Sequence, residues 1–176
     1  MDKKQKKAPS KKCVPVPEKT TSVLFCGIGG QGVLRGSEIC AMAALNSGLA
    51  VKKSEVKGMS QRGGSVDSHV RFGNVVHSPL IPAHGADFYV PFNEEEGRRW
   101  RHFFNPKGKD LTPLLATAAA TVPDKKFINT FMLGALSTYL PFTNDAWFTA
   151  LDAGFKKAQE ENRQVFRAGQ QKGSKR

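Results

Sequence analysis

The chain has 176 residues, 39% hydrophobic and 24% charged, which suits one folded domain whose core needs neither disulfides nor a structural metal. No run approaches 18 apolar residues, so no transmembrane helix is expected, and no apolar segment follows the basic N-terminus as a signal peptide requires. The net charge of +12 sits largely at the two ends, and without aromatic–basic interleaving or a zinc motif it implies no nucleic-acid partner.

Residues 1–20, rich in Lys, Pro and Ser, read as a basic flexible tail that either solubilises the chain or docks on a partner subunit. Residues 21–170 read as one domain, and 171–176 as a second basic tail. Thr21–Cys26 predicts a strand, Val33 onward a helix closed by Gly48, and Ala50–Ser54 a second strand. This βαβ opening implies an α/β fold, Rossmann-like, with a mainly parallel sheet. From Ser65 to Phe72 apolar and polar residues alternate, with Val66, Ser68, Val70 and Phe72 opposite Asp67, His69 and Arg71. The alternation predicts a half-buried strand, and Gly73-Asn74 a tight turn into an antiparallel return over Val75–Ser78.

Ala86–Phe92 predicts another strand and Glu94–Phe103 a short charged helix. Asn105–Lys126 is weakly patterned, with a short helix or a connection over Thr112–Ala120. The last third is helical: one helix over Asn129–Leu140, then a long one capped by Asn144 and ended by Gly169.

Two glycine-rich segments carry the candidate chemistry. The first, Gly27-Ile28-Gly29-Gly30-Gln31-Gly32, fits G-x-G-x-x-G between a strand and a helix. Glycines there let a phosphate approach the backbone, and the helix N-terminus offers free N–H groups. A tight turn that serves packing alone is the other reading. In an autonomous Rossmann-type nucleotide-binding module or oxidoreductase, Glu55 would hold a ribose hydroxyl. The second segment runs from Ser54 and Glu55 through Gln61, Arg62, Gly63 and Gly64. Its glycine-flanked Arg62 could grip a phosphate or carboxylate, or the loop could be plain solvated surface. His69, His77, His84 and His102 have no metal-ligand spacing, and His77 could line a cleft. No metal site or nucleophile arrangement is recognisable. Cys13, Cys26 and Cys40 are odd in number without C-x-x-C, which argues against a disulfide framework and a resident iron–sulfur cluster and fits a reducing, cytoplasmic setting.

The blocks GIGGQGVLRGSEI, SEVKGMSQRGGSVDSHVRFG and SPLIPAHGAD, with Asn129 before LGAL and ENRQVFRAG, resemble the γ-type domain of 2-oxoacid:ferredoxin oxidoreductases, above all the indolepyruvate (aryl-pyruvate) β subunits. The resemblance implies a subunit inactive alone, in a hetero-oligomer of anaerobic metabolism. A larger partner would carry thiamine diphosphate and iron–sulfur clusters and pass electrons to ferredoxin. This chain would complete the coenzyme A and substrate side through Gly27, Gly29, Gly30, Gln31, Gly32, Ser54, Glu55, Gln61, Arg62, Gly63 and Gly64, and would present an apolar, glycine-rich face to that partner. The stretch from Glu94 to Asn129 is short for the family, which implies a trimmed sheet edge. The basic N-terminal tail departs from the family pattern.

Overall fold

The computed structural model describes residues 19–57 and 63–174, so the N-terminal tail up to residue 18, Cys13, Gln61 and Arg62 lie outside the described residues. Five strands make one open sheet in the order β2-β3-β1-β4-β5. At its centre is β1 (Thr21–Ile28), with Val23 to Cys26 fully buried. It leads through the first glycine loop into α1 (Val33–Asn46), whose buried Val33, Gly36, Cys40 and Ala43 recur at helical spacing. Gly48, at φ 83°, turns the chain into β2 (Ala50–Lys57).

β2 points the same way as β1 but does not touch it. β3 (Ser65–Gly73) lies between them, antiparallel to both, pairing Asp67 with Cys26 on one side and with Val56 on the other. β4 (Ala86–Pro91) runs parallel to β1, and β5 (Phe104–Asp110) runs parallel to β4. Four of five strands therefore point one way, the mainly parallel sheet that the sequence predicts. Its antiparallel hairpin is β2–β3, however, and not a turn at Gly73-Asn74. Val75–Ser78 forms no strand, because both sides of β3 are already occupied.

One sheet face carries Val23, Phe25, Val70 and Phe72 in the main core. The other holds a smaller cluster of Leu24, Cys26, Ile81, Ala86 and Tyr89 under Trp100, Phe103 and Phe104. The expected helix over Glu94–Phe103 is α2 (Glu94–Arg99) followed by a 3₁₀ turn at Arg101–Phe103. Asn93 caps α2, its Oδ1 accepting the Glu96 N–H at 3.0 Å. The weakly patterned stretch supplies both the edge strand β5 and α3 (Leu115–Thr121).

α4 (Ile128–Ser137) is buried from Asn129 to Ser137. The long helix expected after it is two: α5 (Asn144–Gly154) and α6 (Gln159–Gly173). The cap is Thr143, whose Oγ1 accepts the Ala146 N–H at 3.2 Å, while Asn144 Oδ1 accepts from Gln170 Nε2 at 2.8 Å. Ala158, left-handed at φ 55°, reverses the chain, and Arg163 grips Asp152 with two hydrogen bonds across the break. α6 thereby folds back onto α4 and runs to Gly173, past residue 171, the expected start of a tail. Gly169 does not end that helix. A Cβ on Gly169 would strike the Phe131 carbonyl, and one on Gly134 the Phe166 carbonyl, so these glycines set how closely α4 and α6 approach.

The obstacle to a larger residue is main chain, which cannot swing aside. Gly134→Ala is expected to cost about 2–3 kcal/mol as overpacking and to lower the melting temperature by about 5–10 °C, read by calorimetry.

Candidate functional site

The first loop is built by its own side chain. Gln31 folds back so that its Oε1 accepts the Ile28 N–H at 2.8 Å, and the Gln31 N–H donates to the Ile28 carbonyl at 3.1 Å. The fold occupies the space beside Gly27, where a Cβ would lie 2.8 Å from Gln31 Oε1. Gly30 and Gly32 have φ of 100° and 78°, a region that side-chain-bearing residues rarely adopt. Gly32 is the N-cap of α1 and supplies no side-chain cap, so the first-turn N–H groups have no intrahelical acceptor.

The second loop arrives at the same end of the sheet because β3 runs back along β1. The Gly29 N–H donates to the Gly64 carbonyl at 2.8 Å and joins the two glycine segments directly. Beside this junction a cleft of about 340 Å³ opens, lined by Gly29, Gly30, Val33, Leu34, Arg35 and Val66. At its mouth Arg35 and Glu38 form a half-exposed ion pair at 3.0 Å, which contributes little to stability.

Of the expected site residues, Gly27, Gly29, Gly30, Gln31, Gly32, Gly63 and Gly64 come together here. Ser54 and Glu55 do not: they sit within β2, two strands from β1. Ser54 is three residues short of the strand's end, roughly 10 Å from the loop at strand rise. Glu55 pairs with Lys53 at 2.6 Å. With β3 interposed, Glu55 is not on the strand next to β1 where a dinucleotide fold places its ribose-binding acid. His77 accepts at its main-chain carbonyl from Lys52 Nζ, 2.9 Å away.

A polar network fixes the base of the second loop. Ser65 Oγ donates to Glu96 Oε2, and Trp100 Nε1 lies 3.0 Å from the same oxygen and 3.1 Å from Ser65 Oγ. Glu96 is buried, so α2 holds the residue after Gly64 in place. The spacing Asn93-x-x-Glu96 is a capping-box signal that could have revealed this acid in the sequence. On the same sheet face, Asp67 and His69 are buried, so β3 is covered on both faces and not half-buried. His69 Nδ1 accepts the Ile81 N–H at 3.0 Å, which leaves the ring proton on Nε2, donated to Asp67 Oδ2 at 3.0 Å. This pair ties the segment around Ile81 across the sheet. Asp67 Oδ1 is buried with no hydrogen-bond partner among the described residues.

Asn129 is a residue that sequence reasoning left without a role. It is 4% exposed at the start of α4, and its Nδ2 stands where a Cβ on Gly32 would be. An Asn inside an otherwise apolar helix was the available signal. Cys26 donates to the Tyr89 hydroxyl at 3.6 Å, which donates to the Gly97 carbonyl at 2.7 Å. Burial pushes the Cys26 thiol up to about 12, partly offset by the Tyr89 hydrogen bond, and burial raises Cys40 further. Neither is a reactive thiolate. Among the described residues, no three His, Cys, Asp or Glu side chains converge as a metal site.

Residues 22–111 match the pyruvate ferredoxin/flavodoxin oxidoreductase family. The chain is 46% identical over 84 residues to the indolepyruvate oxidoreductase subunit IorB of Archaeoglobus fulgidus, covering 48% of this chain and 41% of that protein. Against IorB of Pyrococcus horikoshii it is 36% identical over 105 residues, covering 60% and 50%. The chain thus aligns with half or less of the length of these relatives. Its fold resembles the γ subunit of a keto/oxoacid ferredoxin oxidoreductase from Geobacter sulfurreducens, with TM-score 0.71, 20% identity and coverage of 89% and 99%. It also resembles 2-oxoglutarate:ferredoxin oxidoreductase from Magnetococcus marinus, solved with 2-oxoglutarate, coenzyme A and succinyl-CoA, with TM-score 0.75, 19% identity and coverage of 91% and 32%.

Removing the imidazole strands the Asp67 carboxylate and the Ile81 N–H inside the fold. His69→Ala is expected to cost about 3–5 kcal/mol in urea denaturation. The raised Cys26 thiol gives a separate expectation. Unfolded, it loses its proton near 9.0; folded, near 12. Deprotonation above pH 9 therefore favours the unfolded chain, and stability falls as pH rises from 9 toward 12, by about 1.4 kcal/mol per unit from this thiol. Melting curves of Cys26→Ala across that range should show a shallower decline.

Proposed function

Because the chain belongs to the pyruvate ferredoxin/flavodoxin oxidoreductase family, we propose that it is the thiamine-free subunit of a complex that oxidatively decarboxylates a 2-oxoacid, joins the acyl group to coenzyme A and passes the electrons to ferredoxin. The matches to indolepyruvate oxidoreductase subunits favour an aryl-pyruvate as the acid. No helix among the described residues is long and apolar enough to cross a membrane, and a cytoplasmic complex is the setting we propose.

The carrying observation is the hydrogen bond between Gly29 and Gly64, which closes two glycine loops into one rim at the start of α1. Coenzyme A fits such a rim: its phosphates are acceptors, and the rim offers main-chain donors without side chains in the way. The described rim residues Gly27–Gly32, Gly63 and Gly64 include none that can move a proton. Their part is to bind and orient the co-substrate and to keep water from it. Thiamine diphosphate, when bound, supplies the carbanion chemistry, and the clusters carry the electrons. Both are assigned to the larger partner, as the family resemblance implies. Arg62 is proposed as the second loop's cation toward coenzyme A, with Gln61 beside it. Ser54 and Glu55, set back on β2, are proposed to support that loop.

The test is anaerobic capture of the tagged full chain from its own cells, with mass spectrometry, iron and thiamine assays. A large co-purifying subunit with iron and thiamine diphosphate is expected, in a complex that reduces ferredoxin only when an aryl-pyruvate and coenzyme A are both present. In that assay Arg62→Ala should raise KM for coenzyme A about 10-fold or more, the worth of a charge-assisted hydrogen bond, with kcat little changed. An iron-free lone chain that binds NAD tightly would overturn the reading.

A further inference from the structure

The geometry points to a second ligand site, beyond the carboxyl ends of β4 and β5, that takes an α-amino acid with an apolar side chain.

The topology places it. When neighbouring parallel strands send their following helices to opposite faces of an open sheet, a crevice opens beyond the strand ends, and ligands bind there. Two such points lie among the described residues. α1 follows β1 on the face of the main core, while α2 follows β4 on the other face, where the Tyr89 hydroxyl donates to the Gly97 carbonyl. The glycine rim lies at that first point. β5, the parallel neighbour of β4, is followed by α3, whose Leu115 and Ala118 return to the main core. The crevice therefore opens a second time, between α2 and the turn at Thr112. A cleft of about 300 Å³ lies there, lined by Glu94, Gly97, Arg98, Arg101 and Thr112, and it shares no lining residue with the cleft at the rim.

The charges of this cleft are positioned but not matched to one another. The Arg101 guanidinium sits over the Phe104 ring, 4.3 Å from its centre, and pairs through Nη1 with Asp110 Oδ2. Asp110 is fixed in turn by the Thr112 N–H, which donates to its Oδ1 at 2.8 Å. Asp110 takes one edge of a planar fork that has further N–H groups to give. Arg98, three residues earlier, makes no ion pair among the described residues, and neither does Glu94. The spacing of Glu94 and Arg98 would suit a pair on a helix surface, yet the two stand apart. The cleft thus offers cations and an anion at once, with a mostly hydrocarbon lining between them. A simple anion would gain from the arginines and be repelled by Glu94. An α-amino acid satisfies both: its carboxylate meets the guanidiniums, its ammonium meets Glu94, and its side chain covers the hydrocarbon lining.

The isotope-labelled full-length chain is titrated by two-dimensional NMR with three probes. They are L-phenylalanine, hydrocinnamate, which lacks the ammonium, and phenethylamine, which lacks the carboxylate. L-phenylalanine is expected to move the Gly97 and Thr112 amide resonances saturably and to leave those of Gly29 and Gly64 in place. Each analogue should bind about 10-fold more weakly or worse, the worth of a charge-assisted hydrogen bond. Arg98→Ala should weaken L-phenylalanine about 10-fold, and Glu94→Gln should reduce its affinity to that of hydrocinnamate. Both residues are exposed, so neither change should lower the melting temperature. Absence of a saturable shift at Gly97 and Thr112 overturns the site, as does L-phenylalanine affinity that is unchanged in either variant. Shifts confined to Gly29 and Gly64 put the probe at the rim and overturn it too. Hydrocinnamate binding as tightly as L-phenylalanine overturns the assignment to an amino acid.

Discussion

The placement of β3, antiparallel between β1 and β2, is the constraint on which the site depends. Had β2 paired directly with β1, the chain after β2 would have left the sheet at a separate point. With β3 running back along β1, residues 63 and 64 are delivered beside Gly29, and a main-chain hydrogen bond joins them. Both faces of β3 are covered, one by the main core around Val70 and Phe72, the other by Ile81 and Phe103 over His69. That is why Asp67 and His69 must satisfy each other and Ile81 inside the fold, with water excluded.

Local signals were legible. The apolar run of β1, the glycine loop and the periodicity of α1 identify themselves within a window of a dozen residues. What escaped depends on distant partners. Alternation in 65–72 reads as one wet face, because nothing nearby says that Ile81 and Phe103 will cover it. β5, with Pro106, Gly108 and two lysines in seven residues, has poor strand propensity and exists because β4 offers it an edge. The break between α5 and α6 is hidden because Trp147, Leu151, Phe155 and Ala158 keep a helical period across it. Gly169 looks like a stop signal until α4 is placed against it. For the site, the glycines were readable from spacing alone, whereas Asn129 and Glu96 act across more than 30 residues of sequence, where no local motif reaches.

The rim is defined as much by what it withholds as by what it offers. Its thiols are buried and protonated, its histidine on β3 is spent on structure, and its described loop residues carry no acid or base. Such a surface can position a flexible, multiply charged co-substrate without competing for its chemistry. Rigidity comes from three anchors of different kinds: the Gln31 side chain within the first loop, the main-chain bond between loops, and Glu96 from α2 beneath the second. None requires the ligand to be present, so the donor array is preorganised.

The two outer strands bear on how the lone chain avoids unwanted pairing. An unpaired strand edge invites pairing with other nascent chains, and β2 is an eight-residue edge. It carries Lys52 and Lys53, and β5 at the opposite edge carries Lys107 and Lys109 with a proline between its backbone donors. A second chain adding to either edge would have to desolvate ammonium groups, and at β5 it would meet a missing N–H. Both margins are thus closed to indiscriminate strand exchange. The lone chain is thereby kept from pairing edge to edge, which suits the subunit role proposed above.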